Sequence, residues 1–122
     1  MAYAFHSSAR LDIESRATRA LTKRTVTGAY TLVLADATDV VLHVTSATAV
    51  TITLPSDASV AIGQEVAIPW RQYGAGQITF VAGSGATVRS YGSVFKSAGL
   101  DAEGVVTKVA ANTWLVSGSL VA

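Results

Sequence analysis

The chain has 122 residues, half of them apolar and only 14% charged, with a formal net charge of +1. That length suffices to bury a core, and low charge with positive mean hydropathy excludes a disordered polymer. The absence of cysteine excludes a disulfide framework, thiolate chemistry and a cysteine-based zinc cluster.

The first 24 residues read as an N-terminal arm. Arg10, Arg16, Arg19, Lys23 and Arg24 outweigh Asp12 and Glu14 there, giving +3, whereas the remainder of the chain carries −2. Ile13, Ala17, Ala20 and Leu21 follow weak helical spacing with Asp12 as an N-cap. A helix that short is marginal alone in water, so the arm is expected to order on a partner. No stretch resembles a signal peptide or a bilayer span, and no membrane or nucleic-acid partner is expected.

From Thr25 the period becomes two, and residues 25–122 are expected to form the folded body. Tyr30, Leu32 and Leu34 alternate with Thr31 and Val33; Val40, Leu42 and Val44 with Val41, His43 and Thr45; Val50, Ile52 and Leu54 with Thr51 and Thr53. Further alternating stretches are Val66–Trp70, Ile78–Phe80, a short piece at Val88, Val105–Val109 and Trp114–Val116. Alternation sets one face of each strand in a core. Asp-, Gly- and Pro-rich intervals such as 35–39, 55–57, 73–76 and 83–85 supply turns. The expected fold is an all-β, mostly antiparallel sandwich or barrel of about seven or eight short strands, because the gaps are too short for crossover helices. Ala-Val-Thr-Ile-Thr-Leu (49–54) is echoed by Gln-Ile-Thr-Phe-Val (77–81), too little by itself to establish a repeat protein.

Chemistry is sparse. His6 and His43 lack ligands at metal-binding spacing, and Asp36 and Asp39 fit turn roles better than a calcium loop. The glycine pairs lack the strand-loop-helix context of a phosphate loop and read as hairpin turns. No Gly-x-Ser-x-Gly elbow is present. Catalytic residues, metal ligands and cofactors are therefore expected to be absent. Trp70-Arg71-Gln72-Tyr73 is the one aromatic-basic cluster. Trp70, Arg71 and Tyr73 offer a stacking surface for a glycan, unless Trp70 closes the core. Trp114 reads as a core anchor whose indole N–H needs a backbone acceptor.

Several stretches resemble a small β-module of tailed-bacteriophage virion proteins. They are Tyr-Thr-Leu-Val-Leu-Ala-Asp-Ala (30–37), Ala-Val-Thr-Ile-Thr-Leu-Pro (49–55) and Ile-Gly-Gln-Glu-Val (62–66). Gly-Ala-Gly-Gln-Ile-Thr-Phe-Val-Ala-Gly (74–83) and Val-Thr-Lys-Val-Ala-Ala-Asn-Thr-Trp-Leu-Val-Ser-Gly (106–118) continue the match. The resemblance implies a structural protein without catalytic or ligand-binding signature residues. Together with the basic arm and the charge-poor body, it leads to the expectation of a capsid decoration protein. Such a stand-alone module, made in the host cytoplasm, would sit on the capsid exterior, bridge capsomers, bind the major capsid protein and assemble as a homotrimer. The alternative is a tail-fibre or receptor-binding module for a surface glycan.

Overall fold

The computed structural model describes residues 20–122. The chain advances in coils, each contributing one strand to each of two sheets. The first coil consists of β1 (Thr22–Val26) and β2 (Tyr30–Thr31). The second consists of β3 (Val40–Val44) and β4 (Val50–Leu54), and the third of β5 (Ala67–Gln72) and β6 (Ile78–Ala82). There follow β7 (Thr87–Ser90), β8 (Lys96–Ser97), β9 (Glu103–Ala110), β10 (Thr113–Gly118) and β11 (Leu120–Val121). One sheet runs β1-β3-β5-β9-β10-β7 and the other β11-β8-β6-β4-β2.

The all-β class agrees with the alternating pattern, but the arrangement corrects two expectations. The architecture is solenoid-like, with eleven strands among the described residues in place of a seven- or eight-stranded sandwich or barrel, and both sheets are mixed. Strands β1, β3 and β5 pair in parallel, as do β2, β4 and β6. Antiparallel pairing is confined to the later part, around β9 with β5 and β10 and around β8 with β6 and β11. Parallel neighbours need a long return path. Here a strand in the opposite sheet provides it, so short gaps between strands do not demand hairpins.

The echo between residues 49–54 and 77–81 is this coil repeat. Val50, Thr51, Ile52, Thr53 and Leu54 of β4 lie directly beside Ile78, Thr79, Phe80, Val81 and Ala82 of β6. Apolar side chains at equivalent positions stack coil upon coil, and Tyr30 continues the Ile52–Phe80 row. These inward residues join Leu42, Val44, Ile68, Trp70, Val106, Trp114 and Val116 in one core. Trp70 and Phe80 meet across the two sheets with ring centroids 5.1 Å apart. The glycines at 74–76 are not a hairpin turn. They form a corner that packs onto the previous corner, where a Cβ on Gly76 would overlap the backbone carbonyl of Thr48.

Buried polar groups staple the coils together. Asp36, in a short 3-10 turn (Leu34–Ala37), accepts hydrogen bonds from Arg24 Nε (2.7 Å), the Tyr30 hydroxyl (2.6 Å) and the Val33 amide (3.0 Å). Gln72 and Ser97 join the two sheets: Ser97 Oγ donates to Gln72 Oε1 (2.5 Å) and accepts from the Ile78 amide (2.8 Å). The Trp114 indole N–H donates to the Pro55 carbonyl at 2.9 Å, the backbone acceptor that its core position requires.

Candidate functional site

The outer face of the six-stranded sheet carries the most varied surface chemistry. Alternation along β5 turns Ile68, Trp70 and Gln72 inward and Ala67, Pro69 and Arg71 outward. Register then places Thr25, His43, Arg71 and Glu103 in one row across β1, β3, β5 and β9. Just beyond β5, Tyr73 folds over this row and its ring lies 4.5 Å from that of His43. Lys23, His43, Arg71, Tyr73, Asp101 and Glu103 line an open cleft of about 440 Å³.

The hydrogen bond at the centre of the cleft fixes the state of His43. Arg71 Nε donates to His43 Nδ1 at 2.7 Å. A guanidinium has no acceptor to offer, so Nδ1 must be unprotonated and the neutral imidazole carries its proton on Nε2. Burial, then the charges of Arg71 and Lys23, push the His43 pKa below its ordinary value. This is the reverse of a catalytic histidine, whose Nδ1–H is held by a carboxylate that makes Nε2 a better base. Among the described residues, no group of three or more His, Cys, Asp or Glu could hold a metal ion.

The aromatic-basic cluster read from the sequence is divided by the sheet. Trp70 is 1% exposed and belongs to the core, whereas Arg71 and Tyr73 reach the surface and meet His43 from the preceding coil. Trp70 is thus withdrawn as part of a glycan surface. His43 lies on the outward face of β3 as its alternation implies, but Tyr73 and its neighbours leave it only 6% exposed.

The basic arm residues separate as well. Arg10, Arg16 and Arg19 lie outside the described residues. The boundary at residue 24 falls inside β1, so Lys23 and Arg24 are sheet residues. Lys23 joins the cleft. Arg24 turns toward Asp36, whose hydrogen bond holds its guanidinium still more firmly charged. The polar sequence Thr-Lys-Arg-Thr-Val hides this strand, because its one inward charge is neutralised twelve positions away.

Beside the cleft runs an apolar groove. Val41, Pro69 and Val105 sit abreast on β3, β5 and β9, and Leu21, just before β1, lines the groove with them, with Arg71, Glu103 and Asp39 also in its lining.

No family model, curated protein or solved structure matches the chain. Among the described residues, no helix is long and apolar enough to cross a membrane.

Proposed function

We propose that the chain is a non-enzymatic structural protein of a tailed-phage virion that decorates the capsid exterior and stabilises it by packing against the major capsid protein. The observation that carries this reading is the apolar groove of Leu21, Val41, Pro69 and Val105 on the outer face of the larger sheet. Outward strand positions normally carry polar side chains, and a row of apolar ones across adjacent strands marks a surface suited to protein contact. The sequence leading to Leu21 includes Arg10, Arg16 and Arg19, the positive charge expected of a docking arm. An acidic partner surface would favour both together.

A mechanical role also accounts for the disposition of the polar groups. The buried ionisable side chains Asp36 and Lys108 are committed to bonds that pin one coil to the next, and the cleft histidine is wired against base catalysis. Adding buried area between capsomers would raise the work needed to open the shell. The homotrimer expected from the resemblance remains part of this reading, with copies meeting on the capsid surface.

The test is co-sedimentation of the full chain with heads of the phage that encodes it, beside a Leu21→Glu/Val105→Glu variant whose folding is checked by circular dichroism. The wild-type chain should pellet with heads, and the folded variant should stay in the supernatant. Association with tails only, or with neither structure, overturns the assignment.

A further inference from the structure

We propose that the cleft around Tyr73 is a binding site for a neutral saccharide, a role that goes beyond capsid packing. Tyr73 is 60% exposed, whereas Trp70 and Trp114 are sealed in the core. Its position is not loose. The His43 ring backs it at 4.5 Å, and its backbone amide donates to the Val44 carbonyl at 2.8 Å. A fixed, open aromatic face is the platform on which the C–H face of a sugar ring stacks, burying apolar surface at small entropic cost.

The polar groups around that platform match a polyol. Donors come from Lys23, the Arg71 Nη groups and His43 Nε2–H; acceptors come from the Asp101 and Glu103 carboxylates. Among the described residues, Lys23, Asp101 and Glu103 make no side-chain hydrogen bond, and Arg71 uses only Nε, on His43. His43 Nε2 is likewise unbonded and not sealed from solvent. Each sugar hydroxyl both donates and accepts, so a lining with both functions can satisfy a vicinal diol in either sense.

Charge selects the class within saccharides. Two cations face two anions in the cleft, so the local charge balances. A phosphate, a nucleic-acid backbone or an acidic sugar would meet Asp101 and Glu103 at close range, whereas a neutral ring meets no such penalty. The volume of about 440 Å³ lies in the range of small-ligand sites. Arg71 is already oriented by His43, so binding need not order it. A single ring in so open a cleft should bind weakly, with Kd on the order of 1 mM.

The site is tested with the isolated full chain, so its outcome is separate from that of head binding. The probes are an array of neutral glucose-, galactose-, mannose- and N-acetylhexosamine-terminated saccharides with sialylated and uronic-acid members, followed by ligand-observed NMR titration. Neutral saccharides should bind, with affinity weakened on the order of tenfold or more by Tyr73→Ala and by Glu103→Gln. Tyr91→Ala, which alters an even more exposed tyrosine outside the cleft, should bind as the parent does. Both cleft residues point outward, and unchanged melting temperatures should show that their variants fold. The proposal is overturned if no saccharide binds at millimolar concentration, if neutral binding survives both cleft variants, or if only acidic saccharides bind.

Discussion

Lys108, 1% exposed at an inward position of β9, forms an ion pair with Asp57, which lies on the segment following β4 and whose side chain is 38% exposed. The ammonium also donates to the Ile62 carbonyl at 2.7 Å and lies 5.5 Å from the centre of the Trp114 ring. Asp57 accepts in turn from the Asn112 amide at 3.3 Å, and its own amide donates to Asn112 Oδ1 at 2.8 Å. One buried cation thereby ties the 55–62 segment to the β9–β10 hairpin.

This asymmetry of burial predicts an order of effects. Asp57→Ala leaves a sealed ammonium with only a carbonyl and a ring as partners, the costly way to break such a pair. Lys108→Met removes the charge, keeps the bulk, and leaves a carboxylate that water can reach. Urea denaturation should show Asp57→Ala as clearly the more destabilised protein, and an equal or reversed ranking would contradict the clamp. The hydrogen bond from Lys108, chiefly, holds the Asp57 carboxyl below its ordinary pKa. A depressed carboxylate contributes stability that is present above the unfolded value of about 3.8 and lost as pH falls through the lower folded value. The wild-type chain should therefore lose stability from this group only below about pH 4, and Asp57→Asn should lack that part of the acid limb.

The Arg71–His43 bond carries its own pH signature. With the folded pKa of His43 pushed below its ordinary 6.5, the unfolded chain takes up a proton that the folded chain refuses. Stability is then constant above pH 6.5 and declines as pH falls from there toward the folded pKa. His43→Gln should flatten this segment of a melting-temperature profile. A decline that persists unchanged in the variant would assign it to another group.

Tyr30 gives the corresponding alkaline test. Burial, followed by its hydrogen bond to the Asp36 carboxylate, raises its pKa to about 12. A phenol whose folded pKa is raised contributes stability that is intact below the unfolded value near 10 and lost as pH rises toward the folded one. Phenolate absorbance in a native titration should contain a component appearing only near pH 12 that vanishes in Tyr30→Phe. Below pH 9, Tyr30→Phe should cost about 1 kcal/mol, because Asp36 keeps Arg24 and the Val33 amide as partners.

What could be read from the chain and what could not divide along a physical line. Period-two alternation located β3, β4, β6, β9 and β10, because burying one face demands it whichever way the neighbour runs. For that reason it carried no information on parallel versus antiparallel pairing. The matching rows Val-Thr-Ile-Thr-Leu and Ile-Thr-Phe-Val carried it instead, being equivalent positions of successive coils. β1 was hidden by its charges, and the segment around Leu34, which looks like strand, is a 3-10 turn that leaves Leu34 60% exposed. Nothing in the local sequence marks Lys108 as buried, because its partner lies 51 positions away. The cleft was half visible: Arg71 and Tyr73 lie within three positions of Trp70 in the sequence, but His43 joins them only because coil stacking sets β3 beside β5.

Close stacking makes a last prediction about glycine. At Gly104, on β9, a Cβ would overlap the Ser117 carbonyl of β10 and press on the Trp70 ring, and at Gly76 it would strike the Thr48 carbonyl of the preceding corner. In both places the obstruction includes backbone, which cannot rotate away as a side chain tip can. Gly104→Ala and Gly76→Ala should each cost about 1–3 kcal/mol, as overpacking of a dense interior does. Gly28 and Gly63 have nothing within 4 Å of an added Cβ, and neither has a positive φ. Alanine there restricts the unfolded chain without meeting an obstacle, so Gly28→Ala and Gly63→Ala should be neutral or stabilising by up to about 1 kcal/mol. Chemical denaturation of the four variants measures the contrast directly. If alanine at 76 and 104 proves as harmless as at 28 and 63, the coils are not packed backbone to backbone as described.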